Sequence, residues 1–324
     1  MTNPAITRRQ ALRRALTGSV ALAGIAAALS GPAVTTILAG QASTSVRLLG
    51  VQAGPVPTTT DVPEVGTTEM DNAGNPATGS VAVPLVVQSL DVATGQVQTL
   101  PAPQALPDGT PILQSNEAVT GVATLANGTL VVAITPESGA KNATAPTRLT
   151  LLGSPPAALS VSGLKKDEQL GDLAGTADGH LLGLVMKKNG TPPAVLADID
   201  LGTGAISVVN RLQLPQGRRF RALTQCPDGM LYTVAVETNG DVILVRLDPG
   251  QNKPLDVARL TSNGQAWDNG LESLMCAGTA QPQLLALGAP RYVIPNAVYT
   301  IDMSSGAMTK LHDFDTAKAA LSRT

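Results

Sequence analysis

The chain has 324 residues, which is enough for one sizeable hydrophobic core. Only 14% of the residues are charged, 2% are aromatic, and the formal net charge is −2. Because no basic stripe with interleaved aromatic residues is present, the composition argues against nucleic-acid binding. After residue 42 no segment has the unbroken apolar length of a bilayer span, so we expect no membrane span beyond the N-terminal segment.

The N-terminal segment, residues 1–42, resembles a twin-arginine export signal. Thr7 precedes Arg8-Arg9, and an apolar stretch rich in Ala and Gly runs from Ala15 to Leu29. The small residues around Gly40–Ala42 suit a cleavage site. The resemblance implies export to the periplasm or the cell exterior. An uncleaved signal anchor and an amphipathic cytosolic helix are the alternatives.

Residues 43–80 are predicted to hold one strand and a linker. The strand is VRLLGVQ from Val46, which could supply the missing first strand of a repeat unit described below. The linker is rich in Pro and Thr and carries few apolar residues. Its four acids could bind a cation, but a solvated loop is the preferred interpretation; they are Asp61, Glu64, Glu69 and Asp71.

Residues 81–312 contain a repeated phrase in which an apolar run, Asn-Gly or Asp-Gly, and a second apolar run follow one another. The turns begin at Asn127, Asp178 and Asp228. Asn-Gly and Asp-Gly suit a two-residue type I′ hairpin, in which both central residues need positive φ. Each phrase therefore predicts two antiparallel strands. LESLMCAGTAQPQLLALG from Leu271 is a further copy that has lost its turn residues.

A second phrase follows each hairpin and consists of an apolar run, an aspartate and a Gly-containing turn. The aspartates are Asp91, Asp200, Asp248 and Asp302. We expect each carboxylate to accept N–H groups two or three residues later, as in an Asx-turn. The phrase predicts a third strand that turns into a fourth.

Four antiparallel strands in about fifty residues correspond to one propeller blade. The fold class is therefore predicted to be all-β, a β-propeller with five blades favoured and six as the alternative. An open β-solenoid and a large sandwich are less favoured, because closure protects the edges of apolar strands. From Val81 to Leu311 the repeat resembles the broad bacterial β-propeller group of the YVTN, NHL and phytase-like-esterase type. That group includes binding scaffolds, lactonases and phosphoesterase-like enzymes, so the resemblance does not define a function.

The C-terminal tail, residues 313–324, contains DTAKAALSR. This sequence predicts a short helix outside the blades, with Asp315 or Thr316 as its N-cap.

Cys226 and Cys276 fall on neighbouring first strands with opposite parity, so they either face each other or point apart. Two separate buried thiols is the preferred interpretation. A disulfide between them is the alternative, because exported proteins meet an oxidising compartment. The chain has only two histidines, His180 and His312, and it lacks HExxH, GxSxG and P-loop motifs.

Polar residues precede each predicted first strand, and in a propeller this loop reaches the mouth of the central channel. The tentative ligand-binding residues are Glu117, Glu168, Arg221, Trp267, Asp268 and Glu272. Arg221 and Glu272 are expected to be neighbours across a blade boundary. Trp267 could stack on a ligand such as a sugar, or it could cap the apolar end of a blade.

The phrase DNGLESL, from Asp268 to Leu274, resembles a GLEGL-type phrase of phytase-like-esterase and lactonase propellers. The resemblance implies that an acid at the position of Glu272 can bind calcium. The equivalent positions here are Thr120, Gly171 and Arg221, which departs from a ring of acids.

The sequence therefore favours an exported propeller that acts as a binding or scaffold module, with its ligand or partner at the channel mouth. The alternative is a divalent-cation-dependent hydrolase of lactonase or phosphoesterase type, using Glu272, Asp268, Glu117 or Glu168. No cofactor is predicted, calcium is compatible with the acids, and we expect a monomer. The sequence does not identify the ligand, which could be a protein or a small molecule.

Overall fold

The strands form groups of four because apolar runs alternate with tight turns along the whole repeat. A computed structural model describes residues 46–55, 81–137, 147–187, 194–209, 215, 217–248, 254–278, 282–291, 293 and 295–322. The predicted export signal and most of the predicted linker lie outside these residues. Within the described residues no helix is long and apolar enough to cross a membrane.

Each of the five sheets has a run of four antiparallel strands. Blade 1 consists of β22 (Lys318–Leu321), β1 (Arg47–Ala53), β2 (Leu85–Asp91) and β3 (Val97–Leu100). Blade 2 consists of β4 (Glu117–Thr124), β5 (Leu130–Pro136), β6 (Arg148–Leu152) and β7 (Ala157–Ser160). Blade 3 consists of β8 (Glu168–Gly175), β9 (Leu181–Lys187), β10 (Val195–Ile199) and β11 (Ile206–Val208).

The last two blades follow the same order. Blade 4 consists of β12 (Arg219–Gln225), β13 (Leu231–Val236), β14 (Val242–Leu247) and β15 (Leu255–Arg259). Blade 5 consists of β18 (Ser273–Ala277), β19 (Gln283–Gly288), β20 (Ala297–Ile301) and β21 (Ala307–Asp313). A small hairpin of β16 (Thr261–Ser262) and β17 (Gln265–Ala266) extends blade 5, with β16 parallel to β21.

The first strands of the blades pack side by side around a central axis, in the cyclic order β22, β4, β8, β12, β18 and back to β22. Together with the five four-stranded sheets, this ring makes the fold a five-bladed β-propeller. The predicted fold class and the favoured blade number are therefore confirmed.

The ring is closed by the C-terminal strand, and here two predictions are wrong. The tail was expected to form a short helix, but Lys318–Leu321 is strand β22 and pairs antiparallel with β1. The segment around Val46 was expected to be the first strand of its blade, but β1 is the second strand and lies between β22 and β2. The physical reason is that the apolar Ala319 and Ala320 are buried in the ring, which overrides the helix propensity of an Ala-rich segment.

The hairpin turns lie where the sequence predicts them, but they are one residue longer than a type I′ turn. Only the glycine of each Asn-Gly or Asp-Gly pair has positive φ, with 83° at Gly128 and 82° at Gly229. The side chain before the glycine caps the turn, since Asn127 Oδ1 accepts the Thr129 N–H at 3.0 Å. A three-residue loop ending in a left-handed glycine explains this geometry.

The repeated aspartates have the predicted Asx-turn role where their neighbours are described. Asp91 Oδ1 accepts the N–H groups of Ala93 and Thr94, both at 3.0 Å. Asp200 and Asp302 make the equivalent bonds. These carboxylates therefore shape the turns between third and fourth strands.

The core consists of five apolar clusters, and each cluster lies between two neighbouring blades. Because the central strands have a cluster on both sides, many of their residues are buried on both faces, and Leu130–Pro136 is buried throughout. This explains why the strands are continuous apolar runs rather than alternating ones.

Cys226 and Cys276 form a disulfide, which is the alternative that the sequence left open. Their Cα atoms are 5.1 Å apart. Cys226 directly follows β12 and Cys276 lies in β18, so the bond joins the first strands of blades 4 and 5.

Candidate functional site

The first strands surround a small cavity on the central axis, and apolar residues form part of its lining. One apolar layer of this lining consists of Val122, Leu173, Leu223, Leu274 and Ala320, one residue from each first strand. The described side chains leave a cavity of about 30 Å³, which is enough for a single water molecule. This cavity among the first strands is too small for a ligand larger than water.

One end of the channel carries a ring of residues that differ from blade to blade. We call this ring the channel mouth. It comprises the residues two positions before the apolar layer, which are Thr120, Gly171, Arg221, Glu272 and Lys318.

Glu272 and Lys318 form an ion pair across the seam where the ring closes. Lys318 Nζ lies 3.3 Å from Glu272 Oε2 and donates a hydrogen bond to the Glu272 carbonyl oxygen at 2.7 Å. The Lys318 side chain is 11% exposed and that of Glu272 is 33% exposed. The next residue of each strand adds a second link, since Ser273 Oγ accepts the Ala319 N–H at 2.9 Å. These contacts bind the C-terminal strand to blade 5.

Asp172 is a buried carboxyl group directly after Gly171 of the mouth. Its Oδ2 accepts the Leu223 N–H of the neighbouring first strand at 2.8 Å. Burial raises the pKa of Asp172 to about 7, although the positive charge of Lys318 opposes the shift. The negative charge of Glu272 raises this pKa further. Lys318 and Glu272 belong to blades that do not adjoin blade 3, so their influence is exerted across the ring.

Arg221 lies on the blade 4 side of the mouth and is exposed. A β-bulge follows it, between Arg221 and Leu223. Within the described part of the chain its guanidinium makes no ion pair. Its Cδ lies over Gly270 of the loop that leads to Glu272. Arg221 and this loop are therefore neighbours across a blade boundary.

Three of the predicted acids have structural partners away from the mouth ring. Glu117 Oε2 receives a hydrogen bond from Arg148 at 2.7 Å, and the Glu117 side chain is only 7% exposed. Glu168 Oε2 accepts the Lys165 N–H at 2.9 Å, and Asp268 Oδ1 accepts the Arg291 N–H at 3.1 Å. Glu117 and Glu168 therefore bond within their own blades, and Asp268 links the loop before β18 to the loop after β19.

Trp267 lies in the core and does not present its ring to a ligand. It is 2% exposed and packs edge-on against Tyr299, with ring centroids 5.1 Å apart. This position agrees with the alternative in which Trp267 caps the apolar end of a blade. The stacking role does not, because a buried ring has no free face.

Among the described residues, no group of three or more His, Cys, Asp or Glu side chains is arranged to hold a metal ion. Of the acids considered for the hydrolase alternative, only Glu272 belongs to the mouth ring, where it faces Lys318. The geometry of the described residues therefore gives no support to a calcium site built from Glu117, Glu168, Asp268 and Glu272.

His180 lies at the opposite end of blade 3, beside an open cavity of about 380 Å³ that Asp178, Asp198 and Asp200 also line. Its Nδ1 is 3.2 Å from Asp198 Oδ2, and both side chains are exposed. His312 lies on β21, where its Nε2 is 2.9 Å from the Val92 carbonyl oxygen of blade 1. Neither histidine is at the mouth.

Sequence reasoning missed Asp172 and Lys318. Asp172 was detectable as an acid within the apolar run before a hairpin turn, where the other hairpin copies have Gly121, Ala222 and Ser273. Lys318 was hidden in the tail, whose pairing with residues near position 50 has no local sequence signal.

Comparisons with known proteins identify no family for this chain. No protein-family model and no curated protein matches the chain. The chain is similar to TolB from Acinetobacter baumannii, at 17% identity and a TM-score of 0.43, over 83% of this chain and 54% of that chain. It is similar to AofleA from Arthrobotrys oligospora, at 10% identity and a TM-score of 0.47, over 73% and 67% of the two chains.

A third similar structure is Trypanosoma rangeli sialidase in complex with the inhibitor DANA, at 8% identity and a TM-score of 0.48. The similarity covers 74% of this chain and 46% of that chain. The chain thus spans about half the length of the TolB and sialidase chains. Because these TM-scores are below 0.5, the class of protein, a five-bladed β-propeller, rests on the sheet topology described above.

The environments of Glu117 and Glu168 predict that a Glu→Gln substitution lowers the free energy of unfolding by different amounts at the two positions. Both glutamates close an equivalent turn, but Glu117 pairs with the half-buried Arg148, whereas Lys165 beside Glu168 is 79% exposed. We expect Glu117→Gln to lower the free energy of unfolding by roughly 3 kcal/mol, since it leaves a buried charge without its partner. The control Glu168→Gln should cost less than about 1 kcal/mol. Urea unfolding at pH 7 measures both, and equal costs would contradict this structural role for Glu117.

The raised pKa of Asp172 predicts that the protein loses stability as the pH rises. Its pKa is about 7 in the folded protein, above the ordinary value of 3.8, so the folded state binds the proton more tightly. Stability from this group is complete below pH 4 and is lost as the pH rises to 7. The loss is on the order of 3 kcal/mol between pH 5 and pH 7.5.

The variant Asp172→Asn isolates this effect, because its amide oxygen can still accept the Leu223 N–H. All other titratable groups are the same in both proteins, so the difference between the two pH profiles reports Asp172 alone. We expect the variant to have a flatter profile of unfolding free energy from pH 5 to pH 7.5. Parallel profiles would show that Asp172 has an ordinary pKa.

Proposed function

We propose that this chain is an exported propeller that binds a ligand at the channel mouth. The carrying observation is that five blades place five different residues, three of them charged, at equivalent positions near one end of the central channel. What the blades share, the turns and apolar layers, builds the scaffold. What differs between them is concentrated where a ligand could contact all five blades.

The buried carboxyl group supports this proposal. A desolvated acid with a raised pKa, beside charged groups at the end of a channel, is typical of functional sites. Asp172 lowers the stability of the folded protein at neutral pH. Blades 2, 4 and 5 have Gly121, Ala222 and Ser273 at the equivalent position. Since the fold tolerates uncharged residues there, the acid is not required for a propeller blade.

A substitution that fills the mouth tests the binding proposal. Thr120 is half-buried at the rim, where its hydroxyl lies 3.1 Å from that of Thr135, and Thr120→Trp would enlarge the side chain at this position of the ring. Ser207→Trp, on the exposed outer strand β11, adds the same side chain away from the mouth. The protein would be incubated with a small-molecule extract of bacterial culture medium, and compounds retained after washing would be identified by mass spectrometry.

We expect the natural protein and Ser207→Trp to retain the same compounds, and Thr120→Trp to lose them. Thermal unfolding would check that both variants are folded. Retention by Thr120→Trp, or no retention by the natural protein, would contradict a binding site at the mouth.

We further propose that the chain is exported by the twin-arginine route to the periplasm or beyond. Arg8-Arg9 and the following apolar stretch support this, and so does the Cys226–Cys276 disulfide, because disulfides persist in oxidising compartments. Replacing both arginines by lysine keeps the positive charge but removes the signal pair.

We expect the Arg8→Lys, Arg9→Lys double variant to remain in the cytoplasm, as measured by cell fractionation of a tagged full-length chain. The matched control is Arg13→Lys, which should be exported like the natural chain. Export of the double variant at the natural level would contradict the proposed route.

A further inference from the structure

Among the described residues Arg221 has no acidic partner, in contrast to Arg148 and Arg218. Arg148 is paired with Glu117, and Arg218 is held by both Asp256 and Glu237. Within the described residues, Arg221 has neither an ion pair nor a side-chain hydrogen bond to its guanidinium. The guanidinium carries five N–H donors in a planar fork, which remain available to a group from outside the chain.

The backbone beside Arg221 is strained in a way that orients it. Ala222 has φ of 56°, in the left-handed region that residues with a Cβ rarely adopt. The β-bulge at this point lets Arg221 pair with Val234 while Leu223 pairs with Thr233. Bulges of this kind re-aim side chains next to functional sites. β4 and β8 have bulges at the same level, but Ala222 is the one described non-glycine residue of the first strands with positive φ.

The aliphatic stem of the Arg221 side chain lies against the neighbouring blade. A Cβ added at Gly270 would lie 2.9 Å from Arg221 Cδ, so the glycine provides the space in which the stem lies. Val236 borders the same space, at 3.9 Å from that added Cβ. The stem is therefore confined between blades 4 and 5, which reduces the entropy lost when the guanidinium binds a ligand.

The charged residues of the mouth do not neutralise the positive charge of Arg221. Glu272 is the one acid of the ring, and the Lys318 ammonium is 3.3 Å from its carboxylate. The ring therefore contains two basic residues, Arg221 and Lys318, and one acidic residue, Glu272. The neighbouring Asp172 is buried and donates no exposed charge to the surface.

We propose that Arg221 anchors an oxyanion of the ligand, either a carboxylate or a phosphate group, through its planar guanidinium. This assignment rests on the proposed binding function and adds the chemical class of the group that is bound. A guanidinium matches both oxyanions bidentately, whereas a lysine acts as a point charge. Gly270 is a positioning residue, because it acts by leaving room for the Arg221 stem.

The test is a titration of the full-length protein with sodium acetate and, separately, with inorganic phosphate, at constant ionic strength set by sodium chloride. The arginine Nε–Hε signals are followed by NMR spectroscopy. We expect one signal, absent from Arg221→Gln, to shift saturably with at least one probe. The probe with the higher affinity distinguishes a carboxylate from a phosphate ligand.

Three further variants test which residues the binding of the probe depends on. Arg221→Lys should weaken binding of the probe roughly tenfold, because the bidentate pair of hydrogen bonds is lost. Gly270→Ala should weaken it several-fold while the Arg221 signal remains visible, since the added Cβ displaces the stem. Arg246→Gln, which removes an exposed arginine of β14, should leave the affinity unchanged.

The oxyanion assignment is overturned if neither probe gives a saturable shift, or if Arg246→Gln abolishes the shift as Arg221→Gln does. It is also overturned if compounds retained by the natural protein are blocked by Thr120→Trp but not by Arg221→Gln. In that last case the mouth still binds a ligand, so the broader proposal survives.

Discussion

The propeller depends on the pairing of its C-terminal strand with its first. β22 supplies the innermost position of blade 1, where Ala319 and Ala320 are buried against β1 and the neighbouring first strands. Without β22, the apolar faces of β4 and β18 would border an open channel. The same strand begins with Lys318, so the contact that closes the ring also completes the channel mouth. Folding and the formation of the candidate site are therefore coupled through one short strand.

The small size of the core residues follows from this closed geometry. Five first strands meet around one axis, and Gly121 and Gly175 lie so close to the adjacent strand that an added Cβ would be 3.0 Å and 2.3 Å from its backbone. Large aromatic side chains have no space there, which agrees with an aromatic content of 2%. The disulfide adds a covalent link between two of these strands, and for a separation of 50 residues such a link contributes about 4 kcal/mol.

Sequence reasoning succeeded where a few neighbouring residues determine the structure. The hairpins and the Asx-turns of Asp91, Asp200 and Asp302 are local, so turn chemistry alone predicts them. It was wrong about the tail, because the strand conformation of Lys318–Leu321 comes from pairing with a distant segment. It grouped Glu117 and Glu168 with the mouth by alignment alone, whereas each acid bonds within its own blade. The Asp172, Glu272 and Lys318 group draws on three blades, and no spacing along the chain encodes it.

Two features that lower the stability of the folded protein lie close to the channel mouth. Asp172 is buried with a pKa far above its ordinary value, and Ala222 holds a backbone conformation that suits glycine. An uncharged residue at position 172 and glycine at position 222 would relieve both costs while leaving the apolar layers intact. A scaffold selected for stability alone would gain from these changes. That both costs lie in adjacent first strands, beside the one uncompensated cation of the ring, argues that the mouth is arranged for binding at the expense of stability.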